Sequence, residues 1–497
     1  MTVGRHEANP PRRNLQGLIA GYLPATIIPA LVSLGVVLAY TRLLSPAEYG
    51  RYSLAFTALM VVQVSLFYTL SLSIVRFYPV AVRERSTADL IRTSYIGVML
   101  VGLIAAALAA LALIVLPLPP KLLPVLWLAV PLLLLRATLS TGQAVRRASD
   151  ASSQYSLIEC GQAIIGFAAG VLLVVLRGPT AENVMLGLIV GAAAMLAIGA
   201  RSSWRAFREG RFDRTLQRNA WAFSAPLAVT YAVGAALQYG DRFMVAGLAG
   251  AQALGIYTVA TVLVDRPTAL AGIAITTATF PRVVRTLEDE GVEAARQQLG
   301  FNGILLLAVA APACIGLMLI APQLARITVG PAFRTGLVAL LPIVAATALI
   351  RMMSAHFIDH AYHLARRSDL MLLAYGPFAA LNLGIDVVVI PRFGVLGAAW
   401  AALGCLSLQC IISALLARRV FPLWLPPADI ARVASALLPM IVVARLINLT
   451  NPWLHLAALV AESTVSYAVM LIAVDLAGLR GIVIGRCRRM FALQEPV

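Results

Sequence analysis

Charge is scarce in this sequence. Of its 497 residues only 12% are Asp, Glu, Lys or Arg, while 60% are hydrophobic. A soluble domain carries about one quarter charged residues, so a water-facing globular surface is excluded and the chain belongs in a bilayer. Lysine is scarcer still. Every basic residue except Lys121 is arginine, a bias we attribute to genome composition rather than to function. Cysteine occurs only at 160, 314, 405, 410 and 487, with no CxxC pair. That pattern is neither a disulfide framework nor a zinc site, and the thiols read as ordinary buried side chains. Long polar connections are missing as well, which leaves no room for an extra domain between the apolar runs.

Apolar runs long enough to cross a membrane fill the chain instead. They fall at roughly 15–41, 47–75, 93–117, 123–145, 155–177, 183–201, 219–247, 253–281, 301–321, 335–360, 369–390, 395–417, 430–447 and 453–476. The fold class is therefore an all-α integral membrane protein of about fourteen transmembrane helices. The first run is too long for a signal-peptide core and lacks a cleavage site, so it reads as a retained span. The expected organisation is a tail at 1–14, an N-lobe of six helices at 15–201, a linker at 202–218 and a C-lobe of six at 219–417. Two additional helices at 418–476 and a basic tail at 477–497 complete it.

The arginines set an orientation. With the N-terminus in the cytoplasm, alternate connections and both tails carry 27 Lys/Arg and the opposite loops nine, as the positive-inside rule requires. Both termini are then cytoplasmic. The net charge of +17 is explained by topology, so a nucleic-acid partner is dropped. In the linker, Trp204, Phe207 and Phe212 alternate with Arg205, Arg208, Arg211 and Arg214, a pattern for an interfacial amphipathic helix.

One polar interruption is informative. In "RLLSPAEYGRYSLAF", residues 42–56, Ser45 can N-cap a helix with Pro46 at its first position and Glu48 at its third, a capping box. Gly50 then admits a close neighbour. The pattern returns: "EYGRYSLAF" from Glu48 matches "ALGIYTVAT" from Ala253, pairing Gly50 with Gly255 and Tyr52 with Tyr257. The offset is 205 residues, or six spans. An even number of spans points both copies the same way, so the halves are expected to relate by a pseudo-two-fold axis along the membrane normal.

With these motifs, "DRFMVAGLAGAQALGIYTVA" at 241–260 and "IPRFGVLGAAWAALG" at 390–404, the chain resembles the polysaccharide-transporter branch of the MOP flippase superfamily. The resemblance covers most of the chain in order. It implies two six-helix lobes around a central cavity. It further implies flipping of isoprenoid-diphosphate-linked oligosaccharides by alternating access in the bacterial inner membrane. The implied partners are that lipid-linked substrate, membrane lipids, and the polysaccharide polymerase and export components. No cofactor, metal or catalytic residue is expected.

Charges inside the spans are the candidate site. A central arginine costs about 2.5–3.5 kcal/mol even on a lenient insertion scale. Arg266 lies about thirteen residues from either end of its expected span, too deep to snorkel. Arg136 and Arg351 lie nearer the cytoplasmic ends, where snorkelling or a partner competes with a cavity role. Arg242 completes the substrate-binding candidates, because arginine gives a diphosphate planar, bidentate donors. Asp241 and Asp265 are coupling candidates, with cross-helix ion pairing as the plainer reading. Asp386 and Glu462 are weaker candidates, lying near external or extra-helix positions. His356, Asp359, His360 and His363 share a helical face by spacing, which could hold a metal or could simply be a polar helix end.

Two rivals stand beside the flippase. A cation-coupled drug or metabolite exporter of the same fold would favour acidic cavity residues. A membrane polysaccharide polymerase or ligase would need a sizeable external loop, and none is present.

Overall fold

A computed structural model describes residues 15–367, 369–447 and 449–476, so both tails and Cys487 lie outside the described residues. Within them the chain is helical, as hydrocarbon demands: a helix satisfies every backbone N–H and C=O inside its own segment. The helices divide into two compact units. The first is Met1–Leu44 with Arg51–Gly240, and the second is Ser45–Gly50 with Asp241–Val497.

The first unit is built from α1 (Leu15–Leu43), α2 (Pro46–Arg83) beyond its first turn, α3 (Thr87–Val115), α4 (Leu123–Ala148), α5 (Ser152–Arg177), α6 (Ala181–Glu209) and most of α7 (Arg214–Leu248), while the first turn of α2 belongs to the second unit. Large apolar side chains such as Leu108, Ile114 and Leu176 are exposed. A soluble protein would bury such a surface, whereas here it faces lipid. Small residues set the tightest packing. A Cβ on Gly187 would sit 2.3 Å from Gly170 Cα, and one on Gly191 would sit 2.6 Å from Gly166 N. Two GxxxG repeats, on α5 and α6, thus face each other and let the backbones touch.

The second unit contains α8 (Gly250–Asp289), α9 (Val292–Leu319), the short α10 (Ala321–Thr328), α11 (Pro331–Leu364), α12 (Asp369–Ala417), α13 (Pro427–Leu446) and α14 (Pro452–Ala473). Its interior is apolar, centred on Leu299, Leu306, Phe357 and Tyr362. A second cluster joins Ile304, Val433, Met440 and Tyr467. The Tyr467 hydroxyl donates to Ala308 O at 2.8 Å, which ties α14 to α9.

Among the described residues, twelve helices are long and apolar enough to cross a membrane, and the bent pair Arg214–Leu248 makes thirteen. One of the twelve, α12, has 49 residues. That is about 74 Å of helix, more than twice the ~30 Å hydrocarbon core. Gly394 breaks it with φ 61° and ψ −148°, a conformation open essentially to glycine alone. So α12 supplies two crossings, and the expected fourteen are accounted for.

One local expectation changes. The segment 202–218 is not one interfacial helix: α6 runs on to Glu209, a turn follows, and α7 starts at Arg214. Asp213 Oδ1 accepts from Thr215 N and Leu216 N at 2.7 and 3.1 Å, which caps the new helix and explains the break. The connection between α9 and α11 holds α10, because Ala321, Ala325 and Ile327 give it a buried apolar face.

The opening interruption folds as its chemistry requires. Ser45 Oγ accepts from Glu48 N at 3.3 Å, capping α2 with Pro46 in its first turn. Beyond it, Gly50 meets α8. A Cβ there would lie 1.7 Å from Ala251 O, and one on Gly255 would lie 2.1 Å from Pro46 O. The two glycines matched in the sequence repeat therefore pack against each other's helix.

Candidate functional site

The charged residues of the second unit gather on α7, α8, α11 and α12. Asp241 accepts from the Tyr257 hydroxyl through Oδ2 at 2.6 Å. Its Oδ1 takes the backbone N–H of Arg242 at 2.8 Å. One helical stretch further along α8 stand Asp265 and Arg266. Pro267 follows, which has no N–H to give the carbonyl of Leu263. Thr268 Oγ donates to Val264 O at 2.7 Å and to Asp265 O at 3.2 Å. The helix thus lacks one backbone hydrogen bond where the charge sits.

Neighbouring side chains on a helix diverge by about 100°, and the Asp265–Arg266 pair does. Asp265 turns to α11, where Arg351 Nη1 reaches both of its oxygens at 3.2 Å. The pair is partly exposed, 54% for the arginine side chain and 33% for the aspartate, so it is wet rather than sealed. Arg266 points elsewhere. It is exposed and makes no ion pair or hydrogen bond with another described side chain. It lies 16 residues into a 40-residue helix, about 24 Å from the start. An unpaired guanidinium at that depth must face water, because lipid contact there is costly.

Arg351 is followed by a π-helical turn, Ser354–Ile358, a feature frequent at functional sites. The histidines in and beyond it each find a neighbour, and the His360 and His363 rings stay 6.5 Å apart. His356 Nδ1 lies 2.8 Å from Thr276 Oγ, the His360 ring packs 4.2 Å from Phe280, and Asp359 accepts from the Tyr375 hydroxyl. No group of three or more His, Cys, Asp or Glu among the described residues is placed to hold a metal.

Asp386 was undervalued by sequence position. It is fully buried, accepts from Asn382 Nδ2 at 3.3 Å, and leaves Oδ1 without a partner. The charge of Asp241 reaches it. Its burial depends on how α12 packs, which no local pattern reveals.

The first unit places its charge on other helices. Arg136, on α4, is half-buried with its guanidinium carbon 5.8 Å from the Phe56 ring centroid, and its Nε has no partner. The acidic charge acting on it is that of Glu159 on α5, a residue sequence reasoning passed over. The signal was available: Glu159 is a carboxylate inside the span expected at 155–177. Gln143 Nε2 donates to Glu159 at 3.1 Å and to Tyr155 O at 3.0 Å. Aromatic contacts extend the seam, with Tyr22 5.4 Å from Tyr155 and Arg147 5.8 Å above the Tyr155 ring. Each unit thus presents arginine, carboxylate and tyrosine together within the membrane.

A family model described as "Polysaccharide biosynthesis protein" matches residues 18–287, more than half of the chain. The chain belongs to the polysaccharide biosynthesis protein family. Its fold is similar to that of the lipid II flippase MurJ in an inward closed conformation, with a TM-score of 0.75 and 13% identity over 92% of this chain and 98% of that one. An inward-facing multidrug resistance MATE transporter of the MOP superfamily gives 0.60, at 14% identity over 81% and 97%. A MOP superfamily transporter from Pyrococcus furiosus gives 0.55, at 12% identity over 81% and 95%. No curated protein matches. This member of the polysaccharide biosynthesis protein family is therefore a multi-pass membrane protein with a MOP-type transporter fold.

Proposed function

We propose that the protein flips isoprenoid-diphosphate-linked oligosaccharide or polysaccharide precursors across the bacterial inner membrane by alternating access, without covalent chemistry. The observation that carries this reading is Arg266, an exposed and unpaired guanidinium deep within a membrane helix. Family membership supplies the polysaccharide context. Arg266 would take the diphosphate through bidentate, charge-assisted hydrogen bonds. Arg136 would add a second cation, and Arg242 and Arg351, held beside Asp241 and Asp265, would tune the field. Both termini are placed in the cytoplasm by the arginine asymmetry. Moving two negative charges outward down an inside-negative potential gains about 2.3 kcal/mol per charge per 100 mV if each crosses the full field.

The test is a deletion strain lacking redundant flippases. Lipid-linked oligosaccharide should accumulate with its sugars shielded from an impermeant oxidant or lectin, and the surface or secreted glycan should be lost. Sugars exposed outside in that strain would overturn the reading. In complementation, Arg266→Ala should fail at normal membrane abundance, while Arg418→Ala, on a loop, should succeed.

A second reading, a cation-coupled exporter, is favoured by the buried carboxylate of Asp386. It predicts that deletion raises sensitivity to cationic dyes and leaves the glycan intact.

A further inference from the structure

An apolar groove of about 530 Å³ opens in the first unit between α3, α4 and α6, and none of the substrate-binding or coupling candidates lines it. Its volume lies within the range of small-molecule pockets. Tyr95, Met99 and Leu103 line it from α3, and Leu196, Trp204 and Phe207 from α6. The α3 residues recur every fourth position and so form one wall. That wall is open: Met99 and Leu103 are exposed, and the exposed stripe runs on through Ile104, Leu108 and Leu111. The groove is therefore continuous with the lipid-facing surface, and a hydrocarbon chain can enter it sideways.

One end of the groove is cationic. Trp204 and Phe207 stack there at 6.0 Å with an 18° interplanar angle, an aromatic pair of the sort found at the headgroup level. Arg92 sits over the Phe207 ring at 5.5 Å and donates to Gly210 O at 3.0 Å. Arg201, Arg205 and Arg208 are exposed on α6 around the aromatic pair. Arg205 is paired with Glu209 at 2.8 Å, and Asp89 accepts from the backbone of Arg211. Arginines still exceed carboxylates at this rim. An apolar slot in contact with lipid and ending in excess guanidinium is complementary to one acyl chain with a phosphate at its head.

We propose that this groove is a binding site for an anionic membrane phospholipid, with one chain in the slot and the headgroup phosphate among Arg92, Arg201 and Arg208. The site is separate from the cavity charges, so it stands or falls independently of the substrate reading.

The experiment uses the full-length protein, delipidated in detergent and titrated with phosphatidylglycerol or phosphatidylcholine of identical chains, with bound lipids counted by native mass spectrometry. Phosphatidylglycerol should be retained in preference. Replacing Arg201 and Arg208 by Gln, both exposed and so tolerable to folding, should weaken its retention about fivefold per arginine. Met99→Trp, which fills the slot, should abolish the tightest bound lipid. Leu157→Trp, on a lipid-facing position of α5 outside the groove, should not. Equal retention of the two lipids, or an equal loss in Leu157→Trp, overturns the proposal. So does displacement of phosphatidylglycerol by a polyprenyl diphosphate, which would make the groove part of the substrate's route.

Discussion

The repeated helices α2 and α8 share a frame and differ in chemistry. Both carry a glycine and a tyrosine in the same register, and those glycines pack on each other's helix. Each has a local interruption near its middle, α2 in the π-helical turn Gln63–Tyr68 and α8 in Pro267, which cannot donate to the helix. The centres diverge. Where α8 has Asp265 and Arg266, the 205-residue offset places Met60 and Val61 in α2. Tyr257 donates to Asp241, whereas Tyr52 packs 6.2 Å from Tyr40 and 6.0 Å from Phe56. The first unit takes its charge from α4 and α5 instead, as Arg136 and Glu159. Each intramembrane charge is costly and needs its own solvation. The duplicated helix therefore keeps its packing surface in both copies and carries charge at its centre in only one.

Exchanging the centres should give the largest effect. Val61→Arg places a cation at a half-buried position where α2 offers no carboxylate, at a cost of about 2.5–3.5 kcal/mol. The expected result is loss of folded protein from the membrane fraction. The reciprocal Arg266→Val should leave abundance normal and abolish transport. If both variants accumulate normally, the centres of the two helices are equivalent and the comparison fails.

The shared glycines come next. Gly50→Ala and Gly255→Ala each force two backbones apart, with an expected loss of about 1–3 kcal/mol or more in detergent melting experiments. Because both act on one contact, the double variant should fall well short of additivity. Strict additivity would show that the glycines act separately.

A smaller effect is expected at the Asp265–Arg351 pair. Both side chains are partly exposed, so a double-mutant cycle of Asp265→Asn and Arg351→Gln should return a coupling of about 1 kcal/mol or less in stability. The same cycle read in transport should show a larger coupling. No coupling in transport would reduce the pair to packing.

The helix starts give the smallest contrast. Ser45 caps α2, whereas Ala249 precedes α8 with no side-chain cap. Ser45→Ala should cost about 1 kcal/mol and Ala249→Ser should gain less than that, both measurable as shifts in melting temperature.

Much of this architecture could be read from residue order. The run lengths gave the fourteen crossings, including the two halves of α12 that Gly394 separates. The cap at Ser45 and the close approach at Gly50 followed from residue types at fixed spacing. The continuous linker helix did not survive, because Asp213 starts a new helix there. Glu159 and Asp386 were harder to see. A single carboxylate in an apolar run looks the same whether it is buried against a neighbour or turned to solvent.

The sequence by itself determined that the chain is a bundle of membrane helices with an internal repeat. Hydrocarbon forces each long apolar run to satisfy its own backbone, so local composition is enough. Only the tertiary structure decided which charges meet. Asp265 and Arg351 are 86 residues apart, and their contact depends on how α8 and α11 rotate about their axes. That rotation also leaves Arg266, one residue from Asp265 and about 100° around the helix, without a partner.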